Sequence, residues 1–277
     1  MMADVATDQS LTTLLERTWH RFLSPHYDDV SISCGGTAAL LAANDLAPEV
    51  AIIFAGGESA APVTAFAAEQ HLRWGLDEEG VNRGRQREES AAATMLGTVI
   101  RLLPFPDAIY RGDRYLNDDQ LFGETAPDED DLAGRISESL GLSDAPDPEI
   151  RIYAPLGLGN HVDHQHVFNA GLAAAQRGWN VWFYEDLPYG LQLPSHDARF
   201  RDLEQQGINM EIAALIDVSA TWRQKLDAIM CYASQLDVIF RHDVNETSRD
   251  EINRVMQSYA RAASLDGRIV ERYWRLR

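Results

Sequence analysis

Short apolar segments alternate with longer segments of helical periodicity along most of the chain. The apolar segments predict six strands, near residues 21–24, 50–55, 98–104, 149–155, 180–184 and 212–218. Near-continuous hydrophobic runs, such as residues 51–55 (AIIFA), are typical of central strands in a parallel sheet. Helical patterns follow at residues 35–44, 82–96, 130–140, 164–176, 221–235 and 249–263. This order predicts an α/β fold, a Rossmann-like three-layer sandwich with a mainly parallel sheet.

Two stretches interrupt the alternation and are predicted to be loops. Residues 106–131 are crowded with Asp, Glu and Gly, and residues 186–199 contain two prolines and a histidine. Long loops on an α/β scaffold are often where substrate is selected. We therefore expect a single domain over residues 1–277, with one long substrate loop near 106–131 and a second near 186–199. For any single residue in these loops, solvated surface is the simpler interpretation.

The charge of the chain narrows the class of partner. With 24 Lys and Arg against 43 Asp and Glu, the net charge is −19. Nucleic acids bind to basic surfaces, and anionic membranes attract basic segments, so we expect neither partner. Solubility is the simpler reason for the acidity. A small-molecule substrate is the partner that remains, and a homo-oligomer is compatible with the composition.

The cysteine content and the hydropathy of the chain bear on its compartment. Cys34 and Cys231 are the only cysteines, too few for a disulfide framework in 277 residues. No apolar run reaches the ~18 residues of a membrane span, and the N-terminus lacks the apolar core of a signal peptide. These features favour a reducing, cytoplasmic setting.

Two short segments far apart in the chain carry the clearest chemistry. Residues 25–29 read Pro-His-Tyr-Asp-Asp and follow the first predicted strand, and residues 161–164 read His-Val-Asp-His and follow the strand at 149–155. Because the carboxyl ends of parallel strands meet at one edge of a sheet, both segments are expected at the same crevice. Together they supply two nitrogen ligands, one oxygen ligand and a spare carboxylate, which suits an open catalytic zinc site.

Each segment alone has a simpler explanation. Adjacent acids after a Pro-His turn can be solvated or can cap a helix, and Asp163 could be a helix N-cap. Their joint presence at matching strand ends favours a metal. Two histidines and one carboxylate also form the facial triad of iron oxygenases, so Fe²⁺ is an alternative to Zn²⁺.

With these residues in view, the chain resembles the PIG-L family, also called LmbE-like, of zinc-dependent N-deacetylases. The family motif Pro-His-x-Asp-Asp is matched at 25–29 and followed by Gly35-Gly36, and His-x-Asp-His is matched at 161–164. Further matches, spread over nearly the whole chain, are Arg85, Glu88, Leu96, Gly97, Lys225, Ser234 and Gln235.

The resemblance implies a role for each motif residue. His26, Asp29 and His164 would be the zinc ligands, Asp28 the general base, and His161 the group that stabilises or protonates the transition state. These roles fit the chemistry of a metal-activated water, since a nearby carboxylate can complete its deprotonation. Asp163 could hydrogen-bond a neighbouring imidazole and fix its tautomer, as an alternative to capping the helix.

Two further positions are left open at this point. Arg85 could bind a polar group of the substrate, or it could pair with Glu88 or Glu89 along its own helix. Some family members carry a tyrosine two residues before the first histidine of the second motif, where this chain has Gly159. Residues that could take over its work are Tyr153, Tyr184 and Tyr189.

The expected function is a zinc-dependent hydrolase that removes an N-acyl group, most often acetyl, from an amino-sugar-like, glycosylated or conjugated small molecule. Natural-product biosynthesis would suit a soluble substrate of this kind. A metal-dependent hydratase on the same fold is one alternative, and a binding protein that keeps the metal without turnover is another. The intact Asp28 and His161 speak against a binding protein, since it would need neither.

Overall fold

The computed structural model describes residues 11–56, 63–75 and 81–277, in which seven strands form one sheet. The strands are β1 (Trp19–Ser24), β2 (Glu49–Ile52), β3 (Val99–Leu102), β4 (Ile150–Pro155), β5 (Asn180–Tyr184), β6 (Met210–Asp217) and β7 (Val270–Leu276). The helices are α1 (Asp29–Ala42), α2 (Ala65–Arg73), α3 (Val81–Leu96), α4 (Asp118–Leu121), α5 (Leu132–Ser139), α6 (Val162–Gln176), α7 (Leu193–Gln205), α8 (Trp222–Ile229), α9 (Leu236–Ile239) and α10 (Arg249–Ala262).

The order of the strands places a crevice at the middle of the sheet. The order is β3-β2-β1-β4-β5-β7-β6, and the first five strands are parallel to their neighbours. After β1 the chain builds outward through β2 and β3, and β4 then pairs with the other side of β1. Such a reversal leaves a crevice outside the carboxyl ends of β1 and β4, where ligands of open α/β sheets bind.

The sheet separates two apolar layers, which confirms the three-layer α/β prediction. Successive residues of a strand point to opposite faces, so Phe22 joins one cluster and Leu23 the other, as do Trp182 and Phe183. The first cluster is covered by α1, α8 and α10, and the second by α5, α6 and α7.

Several predicted elements differ from the structure. The six predicted strands are present within a few residues, but β7 was not predicted; it pairs antiparallel with both β5 and β6. Its sequence, VERYWRL, carries three charged residues, and the apolar pattern of a buried strand is therefore weak. Helix α1 begins at Asp29 instead of residue 35, because Cys34 (φ −136°) only kinks it.

The predicted loop near 186–199 is wrong beyond residue 192. Helix α7 begins at Leu193, and Pro194 occupies its first turn, where proline is tolerated because its missing N–H would have no partner. By contrast, the stretch 106–131 is irregular as predicted, apart from α4 and two single 3₁₀ turns.

A buried ion pair fixes α1 against the edge of the sheet. Glu271 of β7 accepts a hydrogen bond from Lys225 Nζ at 2.7 Å and from the backbone N–H groups of Gly36 and Thr37. Helix α1 also packs closely against the residue that follows β6, because a Cβ at Gly36 would lie 2.7 Å from Cβ of Val218. The glycine thus serves helix packing here and not the start of the helix, which lies seven residues earlier.

Two remaining expectations concern the cysteines and the membrane. Cys34 and Cys231 are both free, and Cys34 is fully buried in the core. Among the helices of the described residues, none combines the length and apolar composition needed to cross a bilayer.

Candidate metal centre and active site

A cavity of about 430 Å³ opens at the crevice between β1 and β4. Its floor is formed by residues of both sequence motifs, His26, Asp28, Asp29 and His161. Three aromatic rings form part of its wall. Trp74 directly follows α2, Phe122 directly follows α4, and Tyr189 lies in the segment after β5. The topology therefore brings the two motifs together as the sequence predicted.

The three predicted ligands lie with their donor atoms facing one another. One ligand atom each from His26, Asp29 and His164 lies within 4.8 Å of the others, and all three residues are buried. Nε2 of His164 is 3.3 Å from Asp29 Oδ1, and Nδ1 of His26 is 3.4 Å from Asp29 Oδ2. Two nitrogens and one carboxylate oxygen fit a divalent cation such as zinc, with a position left for water.

The other ring nitrogen of each imidazole is held by a buried carboxylate. Nε2 of His26 lies 2.9 Å from Asp163 Oδ2, and Nδ1 of His164 lies 2.6 Å from Asp186 Oδ1. These bonds assign the proton of each neutral ring to the far nitrogen, so Nδ1 of His26 and Nε2 of His164 are left with lone pairs. Carboxylates that orient metal-binding histidines in this way are a regular feature of metal sites.

Carboxylates outnumber cations around the two imidazoles, which further suits a metal. Burial lowers the pKa of His164, but Asp29 and Asp186 outweigh it and raise the pKa to about 10. Burial likewise raises the pKa of Asp29, but His164 and His26 hold it well below the usual range. In the chain alone, protons on imidazole therefore supply the positive charge that a divalent cation would supply instead.

A second group, His26, His161 and Asp163, also lies within 4.8 Å. Several atoms of this group that could bind a metal already take part in hydrogen bonds. Asp163 accepts from His26, Arg111 and the N–H of Ala108, and Nδ1 of His161 accepts the N–H of Asp163. The first group is the better candidate because its lone pairs remain available.

Asp28 and His161 lie beside the candidate ligands and face the cavity. Asp28 precedes the first residue of α1 and makes no side-chain capping bond, so the capping alternative does not apply to it. Burial and the neighbouring Asp29 raise the pKa of Asp28. Burial and His26 hold the pKa of His161 well below its usual range, so its ring is neutral near pH 7.

The helix cap at the second motif is His161 and not Asp163. Nδ1 of His161 accepts the N–H of Asp163 at 3.2 Å at the start of α6. Because that nitrogen accepts, the proton of the neutral ring lies on Nε2. The carboxylate of Asp163 points inward to His26, as the hydrogen-bonding alternative predicted.

Arg85 lies on the cavity wall and does not pair along its own helix. Glu88 binds Ser234 and Glu89 accepts a bond from Tyr232, whereas Arg85 NH1 approaches Asp107 Oδ2 at 3.7 Å. The Arg85 guanidinium lies about 5 Å from the Trp74 ring centre. Its Nε has no hydrogen-bond partner within the part of the chain that the structure describes.

Tyr189 fills the space above Gly159, the position at which some relatives carry tyrosine. A Cβ on Gly159, whose φ is +80°, would lie 2.4 Å from Cγ of Tyr189. The Tyr189 ring meets His164 edge-on, with centroids 5.8 Å apart, and lines the cavity. The other two candidate tyrosines are engaged elsewhere: Tyr184 binds the carbonyl of Leu23, and Tyr153 binds His20.

Three residues that contribute to the site were not identified from the sequence: Asp107, Arg111 and Asp186. Asp107 follows β3 and Asp186 follows β5, so both belong to the same sheet edge as the motifs. An acid just past the end of a predicted parallel strand was the available signal. For Arg111 we find no such signal, because it lies within an irregular stretch rich in charge.

Comparison with known proteins gives the class of this chain. The family model described as "PIG-L: GlcNAc-PI de-N-acetylase" matches residues 21–175, more than half of the chain. A 2'-N-acetylparomamine deacetylase of Streptomyces fradiae is 31% identical over 83% of this chain and 78% of that protein. One of the same name from Niallia circulans is 30% identical over 62% of this chain and 67% of that protein.

The fold also matches solved deacetylases. The zinc-inhibited form of teicoplanin deacetylase Orf2 has a TM-score of 0.73 at 25% identity, over 94% of this chain and 98% of the other. Fold, site and relatives together define an N-deacetylase, an enzyme that cleaves amide C–N bonds. The chain belongs to the PIG-L family, as the sequence motifs predicted.

Proposed function

We propose that this enzyme removes an acetyl group from the nitrogen of an amino sugar in a glycosylated small molecule, with zinc bound by His26, Asp29 and His164. The observation that carries the proposal is the meeting of these three buried groups, two of which, His26 and Asp29, line an open cavity. The relatives that act on N-acetylparomamine and teicoplanin support the substrate class. A soluble natural-product intermediate is therefore the substrate we expect.

The base is Asp28. When bound, a divalent cation lowers the pKa of water towards about 7 and polarises the substrate carbonyl. Asp28 faces the same cavity as the ligand Asp29 but does not bond to either imidazole, so its oxygens remain available to accept a proton from water. Its raised pKa brings it closer to the value that suits a general base near neutral pH.

His161 is placed to act on the substrate side of the reaction. Its Nδ1 is committed to the helix cap, so its Nε2–H is the group free to donate to the developing oxyanion. The ring donates as a neutral imidazole, because burial and His26 hold its pKa well below the usual range. After the amide bond breaks, the departing amine takes a proton, which the newly protonated Asp28 can deliver.

The cavity suits a sugar attached to a larger body. Its volume of about 430 Å³ lies within the usual range for small-molecule sites. The rings of Trp74, Phe122 and Tyr189 offer flat apolar surfaces to a sugar. Arg85 offers a buried guanidinium whose Nε has no hydrogen-bond partner among the described residues. We propose that Arg85 contacts a polar group of the substrate near the acetamide.

A screen of N-acetylated amino sugars, aminoglycosides and glycopeptide pseudoaglycones tests this proposal, with acetate and free amine as readouts. Protein stripped by chelator should be inactive and should regain activity with about one equivalent of Zn²⁺. Fe²⁺ is tested in parallel, because it can replace zinc in hydrolytic sites. Addition of water to an activated double bond without acetate release would make the enzyme a hydratase instead.

The variant Asp28→Asn tests the role of the base. It should lower kcat by about 10²- to 10⁴-fold while zinc affinity is kept, because Asp28 is not a ligand. Asp45→Asn is the matched control, since Asp45 is an exposed carboxylate past the other end of α1 and asparagine tolerates its positive φ. Full activity in Asp28→Asn, or loss of zinc, would contradict the assignment.

A further inference from the structure

The carboxylate of Asp163 is fully buried, and both of its oxygens are occupied. Oδ2 accepts hydrogen bonds from His26 Nε2 at 2.9 Å and from the N–H of Ala108 at 3.0 Å. Oδ1 accepts from Arg111 NH1 at 2.5 Å. Two of these three donors belong to the irregular stretch 106–131, which the sequence assigned to substrate selection.

Arg111 joins Asp163 to the rest of that stretch. Its Nε donates to Glu129 Oε1 at 2.7 Å, and its NH2 donates to Glu129 Oε2. Glu129 in turn accepts bonds from Tyr115 Oη at 2.7 Å and from His166 Nε2 at 3.2 Å. The guanidinium is thus a buried bridge between two carboxylates, one of which holds a candidate metal ligand.

We propose that Arg111 is a positioning residue for the metal centre, acting on His26 through Asp163. A buried carboxylate requires both hydrogen-bond donors and a counter-charge, and Arg111 supplies both to Oδ1. Without it, Asp163 loses its fixed orientation, and the imidazole of His26 loses the bond that keeps Nδ1 directed at the metal. This inference rests on the proposed metal site, and it gives the stretch 106–131 a role in metal affinity.

The competing explanation is that Arg111 only anchors the loop through Glu129. The two explanations differ in what the loss of Arg111 does when Asp163 has already been neutralised. If Arg111 acts through Asp163, its removal has no further effect on zinc affinity in an Asp163→Asn background. If it only anchors the loop, the two losses multiply.

The measurement is zinc affinity of the apo-protein, obtained by competition with a chromophoric chelator. Arg111→Gln should bind zinc about tenfold more weakly, the lower end of the effect of removing groups that support metal ligands. Arg111→Lys should keep most of the affinity, because an ammonium can still reach Asp163. Arg254→Gln is the control, since Arg254 is an exposed arginine on α10 that pairs with Glu251 of the same helix.

Circular dichroism and thermal unfolding of each apo variant show whether the fold survives, and Arg111→Lys keeps the test valid if Arg111→Gln does not fold. Unchanged zinc affinity in Arg111→Gln, or losses that multiply in the Arg111→Gln/Asp163→Asn pair, would overturn the inference. Failure of the unsubstituted protein to bind zinc would instead overturn the proposed function.

Discussion

Asp186 is the carboxylate whose removal gives the sharpest test of the metal centre. Its Oδ2 accepts the backbone N–H groups of Gly157 and Leu158, at 2.8 and 3.0 Å. Its Oδ1 lies 2.6 Å from Nδ1 of His164. The residue therefore links the turn after β4 to a candidate zinc ligand.

The substitution Asp186→Asn removes one negative charge and reverses the direction of one hydrogen bond. The amide oxygen must face the two backbone N–H groups, because the alternative places an NH₂ against two donors. The amide NH₂ then faces Nδ1 of His164, which must accept instead of donate. The proton of the neutral ring moves to Nε2, the nitrogen that should bind the metal.

The size of the effect follows from the burial of the bond. Both side chains are about 1% exposed, so water cannot replace the lost acceptor. Loss of a carboxylate that orients a metal-binding histidine lowers affinity by roughly 10- to 100-fold, or about 1.4 to 2.7 kcal/mol, and we expect the upper part of this range.

Zinc affinity by chelator competition is the assay, with Asp197→Asn as control because Asp197 is an exposed acid on α7. The thermal midpoint of the apo-protein should fall, because Asp186 pairs with the protonated His164 of the metal-free chain, and circular dichroism checks that the variant still folds. Zinc binding by Asp186→Asn as tight as that of the parent would refute the proposed tautomer of His164 and, with it, this part of the site.

Two further predictions concern the fold. Gly159→Ala and Gly207→Ala both put a methyl group at positive φ, but only the first meets a neighbour, Tyr189 at 2.4 Å. Denaturant titration should show that Gly159→Ala lowers the free energy of unfolding by about 1–3 kcal/mol more than Gly207→Ala does. Equal decreases in the two variants would contradict the close contact. Burial raises the pKa of Glu89 from 4.5 to about 8, so the folded chain holds a proton that the unfolded chain releases. Stability should therefore fall as pH rises from about 4.5 to 8, and Glu89→Gln should make that slope less negative by up to about 1.4 kcal/mol per pH unit; parallel pH profiles would refute this.

Much of the fold could be predicted because each parallel strand contains a short apolar run. β5 was predicted with its observed bounds, since four apolar residues, VWFY, follow Asn180 and end at the acidic residues 185–186. β7 was missed for the opposite reason. Its Glu271 is buried beside Lys225, and a charge that is neutralised by a partner 46 residues away carries no local sign of burial.

The residues of the candidate site likewise divide into those that could be predicted from the sequence and those that could not. Residues 25–29 and 161–164 could be identified because several donors lie within a few positions of one another. Asp186 and Arg111 were not identified, because the partner of each is distant along the chain. His164 is 22 residues from Asp186, and Asp163 is 52 residues from Arg111.

The charges around the cavity explain why residues that are far apart along the chain belong to one site. Asp28, Asp29 and Asp107 lie on its lining, and Asp163 and Asp186 lie behind it, all of them buried. Burying so many carboxylates is unfavourable unless cations lie among them. Arg111 neutralises Asp163 from behind, and Arg85 approaches Asp107 from the side, so the excess negative charge is left facing the cavity between the two imidazoles. A divalent cation bound there would balance the charge, whereas in its absence protons on the imidazoles do so, which would tie metal occupancy to the protonation of the site.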